Sequence, residues 1–404
     1  MHNTRSVTEN LYWVGANDSR LSLFENIHPL TNGVSYNSYL LLDKKTVLLD
    51  TVDWAVSRQF IENIDHVLDG QDLDYIILNH VEPDHGASLE EVLVKYPNVK
   101  LIATAKGFTM IRQFGFNIDN FELITVKDGD SISFGDHTMS FYTAPMVHWP
   151  EAMVTFDQTN GTLFSADAFG TFGALDGKLF NDEVNFERDW IDEARRYYTN
   201  IVGKYGVNVQ KLFDKLGPII PDIKFICPLH GPLWRNNFEY FIDKHNKWSK
   251  YQPEEKGVLI VYASMYGNTE AVSQVLANKL CQKGLTNFSL YDVSKNHVST
   301  LIAESFKYSH IVLASVTYNL EIYPPMHNFL NDMRALNLQN RTFAVIENGT
   351  WAIKAGDLIE KYILDNMKNM TLLGNRLTIT SSCGNSREEE IDTLVDTLIE
   401  SVNK

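Results

Sequence analysis

Six consecutive residues carry the densest chemistry of this chain: His80-Val81-Glu82-Pro83-Asp84-His85. Two imidazoles and two carboxylates are four potential metal ligands. They directly follow residues 74–78, Asp74-Tyr75-Ile76-Ile77-Leu78, which read as a strand. A loop at a strand's end can turn several side chains toward one point, which a regular strand or helix cannot do at this density. Alone, the hexapeptide also fits a polar surface loop. Other ligand-type residues recur in the same setting. His148 follows the segment 141–146, Asp167 follows a strand at 162–166, and His230-Gly231 follows a strand at 223–227. One histidine after a strand is commonly a cap or a packing residue; this series after strand ends points to a shared centre.

A second constellation lies further on. The apolar run 257–262 leads into Ala263-Ser264-Met265-Tyr266-Gly267-Asn268-Thr269 and then a helical segment. Hydroxyls, a glycine and backbone N–H groups at a helix N-terminus form an anion cradle. Neither GxxxxGK[ST] nor GxGxxG is present, so a nucleoside triphosphate or a dinucleotide is disfavoured. A lysine-free cradle suits a monophosphate, although such a turn can also be a plain helix cap. Ser315-Val316-Thr317-Tyr318-Asn319 and Glu347-Asn348-Gly349-Thr350-Trp351 each follow an apolar strand. Both fall where a doubly wound sheet gathers its ligands. Tyr318 and Trp351 could flank a flat ring, and the backbone near Asn348, Gly349 and Thr350 could meet its polar edge.

The elements that must hold these residues divide into two parts. Residues 36–42 and 46–50 are β-prone runs around a short polar turn, a hairpin. Strands at 74–78, 99–104, 162–166 and 223–227 follow singly, and 194–205 and 237–248 look helical. The clearest seam is the polar, proline-bearing stretch 247–257. Beyond it, strands at 257–262, 310–314 and 342–346 alternate with helices, the first with Val272, Leu276 and Leu280 at four-residue spacing and Val275 between. Continuous apolar strands alternating with helices indicate a parallel sheet covered on both faces. The expected domains are therefore 1–250 and 257–404, both α/β, which suits a chain of 404 residues at ~100–200 per domain. A net charge of -16 disfavours nucleic acid. No apolar stretch reaches the ~18 residues of a spanning helix. The start, Met1-His2-Asn3-Thr4-Arg5, has no signal-peptide core, and Cys227, Cys281 and Cys383 form no CxxC pair, which together suggest a cytoplasmic protein.

The order HxExDH, later His, Asp, final His resembles the metallo-β-lactamase superfamily, an αββα sandwich in which HxHxDH and the later residues bind two metals. The resemblance covers most of residues 30–235. Glu82 stands where the superfamily has its second histidine. Four imidazoles with three carboxylates are a harder set than a zinc hydrolase presents, and suit iron. The later part resembles flavodoxins, whose phosphate loop reads [ST]xTGNT, with Tyr266 in place of the middle Thr. That likeness implies FMN held by Ser264, Met265, Tyr266, Gly267, Asn268, Thr269, Thr317, Tyr318, Asn319, Asn348, Gly349, Thr350 and Trp351. Val316 replaces a proline common in the family's second flavin loop, and residues 347–351 differ from its commoner GSYGW.

The two parts in this order resemble the flavodiiron proteins, of the simplest, A-type class. The resemblance implies one iron on His80, Glu82 and His148, another on Asp84, His85 and His230, and Asp167 bridging both. His85 is not a ligand in every member. Pocket candidates are Phe24, Glu25, Trp149 and Phe169; some members have a histidine where Glu25 falls. The implied activity is reduction of O2 to water, of NO to N2O, or both, as protection against oxidative or nitrosative stress. Electrons would come from a separate donor, commonly rubredoxin, through FMN. The implied assembly is a head-to-tail homodimer, or a dimer of dimers, in which each flavin faces the partner's irons. Two other readings stay open at this point: a glyoxalase II-type zinc hydrolase with an accessory flavin domain, and an electron carrier with a degenerate first domain.

Overall fold

The run 36–50 folds as the hairpin its turn residues predict: Tyr39–Leu41 pairs antiparallel with Val47–Leu49, Tyr39 opposite Leu49. The computed structural model describes residues 1–374, 376–384 and 387–404. The hairpin is the middle of a sheet ordered Arg5–Ser6, Leu11–Trp13, Tyr39–Leu41, Val47–Leu49, Tyr75–Ile77, Lys100–Ala103 and Glu122–Thr125. From Val47–Leu49 onward the pairs are parallel. Parallel neighbours need crossovers, and the helices Ser57–Leu68, Leu89–Lys95 and Ala105–Gln113 supply them. A second sheet runs Ser131–Ser133, Thr138–Thr143, Met153–Asp157, Thr162–Phe164, Phe225–Cys227, and only its last pair is parallel. Strand alternation puts Leu49, Ile77 and Ile102 of the first sheet into one core with Met139, Phe141, Met153 and Phe164 of the second. The result is the αββα sandwich expected for this part of the chain.

The later part is a parallel sheet ordered Phe288–Asp292, Glu255–Ala263, Tyr308–Tyr318, Thr342–Asn348, with Thr371–Leu372 and Leu377–Ile379 outermost. In chain order this is 2-1-3-4-5, the flavodoxin-like order whose switch point lies between strands one and three. Val272, Leu276 and Leu280 of helix Asn268–Gln282 pack with Leu394, Val395 and Leu398 of helix Glu388–Asn403 on one face. Val275 is instead 40% exposed, on the helix's outer side. The chain forms two compact units, Met1–Tyr198 with Val207–His245, and Thr199–Gly206 with Asn246–Lys404.

Three local expectations change. The helix expected over 194–205 is Ile191–Tyr197, then a π turn Tyr198–Val202 and a 3-10 turn Gly203–Tyr205. Thr199, Ile201 and Val202 are β-branched and buried, and such side chains crowd a regular turn. The seam at 247–257 is ordered to within a few residues: helix Phe238–Ser249 runs into it and strand Glu255–Ala263 leaves it. Trp248 is fully buried and its indole N–H donates to Glu254 Oε2 at 3.0 Å. Ser315 to Tyr318 and Glu347 to Asn348 are not loop but the last residues of strands.

Arg341 ties the second unit together. It is 1% exposed, and its guanidinium donates to the carbonyls of Ser305, Phe306, Tyr251, Gln339 and Asn340. Burial with no carboxylate partner pulls its pKa down to about 9. Ser305 and Phe306 end helix Val298–Lys307, so the fork satisfies carbonyls that have no partner within the helix. Arg341→Met should leave several buried carbonyls unmet and cost about 2–4 kcal/mol. Urea unfolding of the second unit, followed by its flavin absorbance, would read this; an unchanged midpoint would show that water replaces the fork.

Candidate metal centre and cofactor cleft

Each expected ligand stands in the turn after a strand. His80 lies three residues beyond Tyr75–Ile77 and Asp167 three beyond Thr162–Phe164; His230 follows Phe225–Cys227 in the same way. After His80 the chain closes into the short helix Pro83–Gly86, with proline at its first position. That turn swings Glu82 to one side and Asp84 with His85 to the other.

Two ligand groups result: His80, Glu82, His148 and Asp167, and Asp84, His85 and His230, the candidate atoms of each group lying within 4.8 Å of one another. In the first, Glu82 Oε2 is 3.1 Å from His80 Nε2 and 2.9 Å from His148 Nε2. In the second, Asp84 Oδ2 is 3.3 Å from both His85 Nε2 and His230 Nε2. Asp167 serves both. Its Oδ2 is 3.2 Å from His80 Nε2 and from His148 Nε2, and its Oδ1 is 3.3 Å from His85 Nε2.

This donor set fits two cations. His230 Nδ1 donates to Ser35 O at 2.8 Å, which in a neutral ring leaves Nε2 as an acceptor, yet it faces His85 Nε2 at 3.1 Å. Asp84 Oδ1 and Asp167 Oδ1 are buried acceptors with no hydrogen-bond donor. Acceptors converging in a dry site are satisfied by a cation between them. The charges agree. Burial opposes the charged form of His148, but Asp167 and Glu82 push it up to about 9. Burial likewise opposes ionised Glu82, but His148 and His80 draw it down to about 2. Cation and proton compete for the same nitrogens, so acid favours metal loss.

The surrounding chain fixes these side chains. Asp50 accepts from Asn79 N, Asn79 Nδ2 and His80 N, bracing the start of the ligand turn. Asn37 donates through Nδ2 to Pro228 O and Gly231 O and accepts from Trp13 Nε1, so it clamps the His230 turn. A Cβ at Gly231 would collide with Thr171 Cγ2, and φ there is +76°, so only glycine fits beside His230. Glu151 Oε1 accepts from His80 Nδ1 at 2.7 Å.

In the second unit the strand ends open into a cleft. It is lined by the phosphate-loop residues Ser264, Met265, Tyr266, Asn268 and Thr269, by Thr317 and Asn319, and by Asn348, Gly349, Thr350 and Trp351. Gly267 does not line it but shapes it: φ is +87°, its N–H donates to Ser264 Oγ, and no atom crowds its Cβ position. Tyr318 turns aside, its ring edge-on to Tyr323 at 5.8 Å. Helix Asn268–Gln282 starts here with no side-chain cap bond, so first-turn N–H groups are open to an anion. Trp351 is 82% exposed and Tyr266 90%, flat rings bordering the cleft. Phosphate at the helix start and a ring between aromatics fit FMN. Sequence reasoning missed Ser381, also in the lining, which accepts from Asn348 Nδ2 through its O and donates to Asn348 Oδ1 through its N.

Known proteins match on this architecture. The family described as ODP family beta lactamase matches residues 34–231. An anaerobic nitric oxide reductase flavorubredoxin of Vibrio vulnificus is 32% identical over 366 residues, 90% of this chain and 73% of the relative. The rubredoxin oxygen:oxidoreductase of Desulfovibrio gigas superposes with a TM-score of 0.89 at 25% identity, covering 99% of this chain and 98% of that one. The flavodiiron protein of Giardia intestinalis shares the fold, with a TM-score of 0.90 at 23% identity over 99% and 98% of the two chains. The chain belongs to the flavodiiron family. Two irons and FMN are the cofactors of that family, and both sites described above have the donors for them.

Of the pocket candidates, three stand beside the ligands of this flavodiiron site. Phe24 meets the His230 ring edge-on at 5.6 Å, and Trp149 meets His80 at 5.5 Å. Glu25 faces Glu82; burial, then that neighbouring charge, raises its carboxyl to about 7. Phe169 has its ring contacts with Phe213, Phe241 and His245 instead.

Proposed function

We propose that this flavodiiron protein is an oxidoreductase that reduces O2 to water, NO to N2O, or both, and so protects against oxidative or nitrosative stress. The observation that carries the reading is Asp167, whose two oxygens are divided between two complete ligand groups. His80, Glu82 and His148 would hold one iron, Asp84, His85 and His230 the other, with Asp167 shared. Bound iron and flavin supply the electron transfer to the gas, and the protein supplies placement, charge and exclusion of water. Glu82 separates this set from a zinc hydrolase's and places anionic oxygen between two imidazoles. Phe24 and Trp149 wall the ligands with apolar ring edges. Residues 1–250 form the metal domain and 257–404 the flavin domain. Electrons come from a separate small protein of the rubredoxin kind. A cytoplasmic setting accords with Cys227, Cys281 and Cys383, all free thiols. Among the described residues no helix is long and apolar enough to cross a membrane.

The test is stopped-flow mixing of the fully reduced protein with O2 and with NO. Flavin reoxidation within the mixing experiment by at least one gas is expected. Protein filled with zinc, free of iron and active as a hydrolase would sink the reading.

The assembly is a head-to-tail homodimer, or a dimer of dimers, with each flavin serving its partner's irons. Two variants test it. Asp167→Ala with His80→Ala cannot hold metal; Ser264→Glu with Asn268→Glu repels phosphate and leaves Thr269 to hold Asn348. Each alone should be inactive. Co-expressed at equal levels, about half the dimers are mixed and roughly a quarter of wild-type activity should return. No recovery from verified, loaded mixed dimers defeats transfer between chains.

A further inference from the structure

We infer that Glu151 makes the two metal positions unequal: as a positioning residue behind His80, it causes the metal at His80, Glu82 and His148 to be held more tightly than the one at Asp84, His85 and His230. The inference rests on the two-metal reading above. Charge among the ligands themselves is balanced. Glu82 stands on one side and Asp84 on the other, and Asp167 turns one oxygen to each. What differs lies behind the imidazoles.

On the first side, His80 Nδ1 meets the carboxylate of Glu151 at 2.7 Å. Glu151 is 3% exposed, and the same Oε1 accepts from Val81 N at 3.1 Å. Its other oxygen, Oε2, is buried with no partner. Its backbone is held as well: Thr104 Oγ1 donates to Glu151 O at 3.1 Å while accepting from Gly107 N at the start of helix Ala105–Gln113. On the second side, His230 Nδ1 meets only the neutral carbonyl of Ser35, and His85 Nδ1 is buried with no hydrogen-bond partner. A carboxylate on the distal N–H fixes the tautomer and ring, and pushes electron density to the ligating nitrogen. A carbonyl does this less, and an unbonded nitrogen not at all. A buried carboxylate with an unmet oxygen costs stability, and a cation on His80 Nε2 offsets part of that cost through the ring.

One turn does both jobs. His148-Trp149-Pro150-Glu151 gives His148 to the metal and, three residues on, Glu151 to a different ligand, His80.

The experiment challenges the iron-loaded, full-length protein with a strong ferrous chelator under anaerobic conditions. Release is followed by the absorbance of the iron chelate. Wild type should lose iron in two phases of similar amplitude. In Glu151→Gln, which keeps size but removes charge, the slow phase should quicken by about 10–100-fold while the fast phase stays. Glu151→Asp, still anionic, should fall between. The iron on the His80 side should also shift to higher reduction potential in Glu151→Gln, a change that loosened packing alone would not confine to one iron. Unchanged FMN content serves as the check on folding. If Glu151→Gln does not load iron, wild type still decides, because single-phase release there overturns the inference. Equal quickening of both phases in Glu151→Gln overturns it too. Zinc in place of iron would instead overturn the function proposed above.

Discussion

Asp167→Ala should be purified with well under one iron per chain, against about two in wild type, while its flavin content stays. Most single-ligand losses weaken one metal; this one removes a donor from both. Asp167 is 2% exposed, with Oδ2 3.2 Å from His80 Nε2 and His148 Nε2, and Oδ1 3.3 Å from His85 Nε2. Without it each group keeps a single carboxylate, Glu82 or Asp84, and like charges at the two cations face each other with no shared anion between them. Asp167→Asn keeps the shape and offers one neutral oxygen, so it should lose nearly as much. Iron analysis beside FMN absorbance measures both. Full iron in either variant would show that the bridge belongs to another group.

Glu82→His should move the protein from iron toward zinc and abolish gas reduction. Glu82 Oε2 stands between His80 Nε2 and His148 Nε2, at 3.1 and 2.9 Å. Exchange for imidazole replaces a hard anion by a neutral, softer donor, and the metal preference of a site follows donor hardness and geometry. The exchange should also remove one of the two carboxylates, the other being Asp167, that raise His148 against the burial of its charged form. Metal analysis of protein made in medium with equal iron and zinc gives the ratio. An unchanged ratio with unchanged O2 and NO consumption would show that residue 82 does not decide the metal.

Most of the candidate ligands are legible in the sequence because they follow strands closely, and strands of Ile, Leu and Val announce themselves. His80, Asp167 and His230 all lie in the turn after Tyr75–Ile77, Thr162–Phe164 or Phe225–Cys227. Their supports were not legible. Glu151 meets His80 across 71 residues of sequence, Asp50 meets His80 across 30, and Ser381 meets Asn348 across 33. Nothing local marks such a partner; it acquires meaning only when the sheets bring the turns together. Asn37 is the sharper case, since it sits unmarked inside the β-prone run 36–42, yet its amide is spent on Trp13, Pro228 and Gly231. The segments 315–319 and 347–351 begin inside their strands, because the ladder runs beyond the apolar residues that mark it. Ser315 to Tyr318 remain in the ladder, with Ser315 opposite Glu347 and Val316 opposite Asn348. The π turn at Tyr198–Val202 was invisible because residues 194–205 keep helical spacing while the burial of neighbouring side chains sets the wider turn.

The pair Asn348-Gly349 links chemical ageing to the cofactor cleft, which the other Asn-Gly pairs, Asn32-Gly33 and Asn160-Gly161, do not line. Asparagine followed by glycine is the sequence in which the next backbone nitrogen most readily attacks the side-chain amide, releasing ammonia and closing a succinimide that water opens to aspartate or isoaspartate. Neither residue can easily be exchanged: a Cβ at Gly349 would meet Ala352 O at 2.8 Å, and Asn348 bonds through both ends of its amide to Ser381. Those same bonds, with a third from Nδ2 to Thr269 Oγ1 at 3.3 Å, hold the amide away from the attack while the cleft is intact. Where the loop opens, in heat or in long storage, deamidation here would put a negative charge into the wall of the cleft that holds a phosphate-bearing cofactor. Peptide mapping of aged protein should find the change at Asn348 enriched in the molecules that have lost their yellow colour.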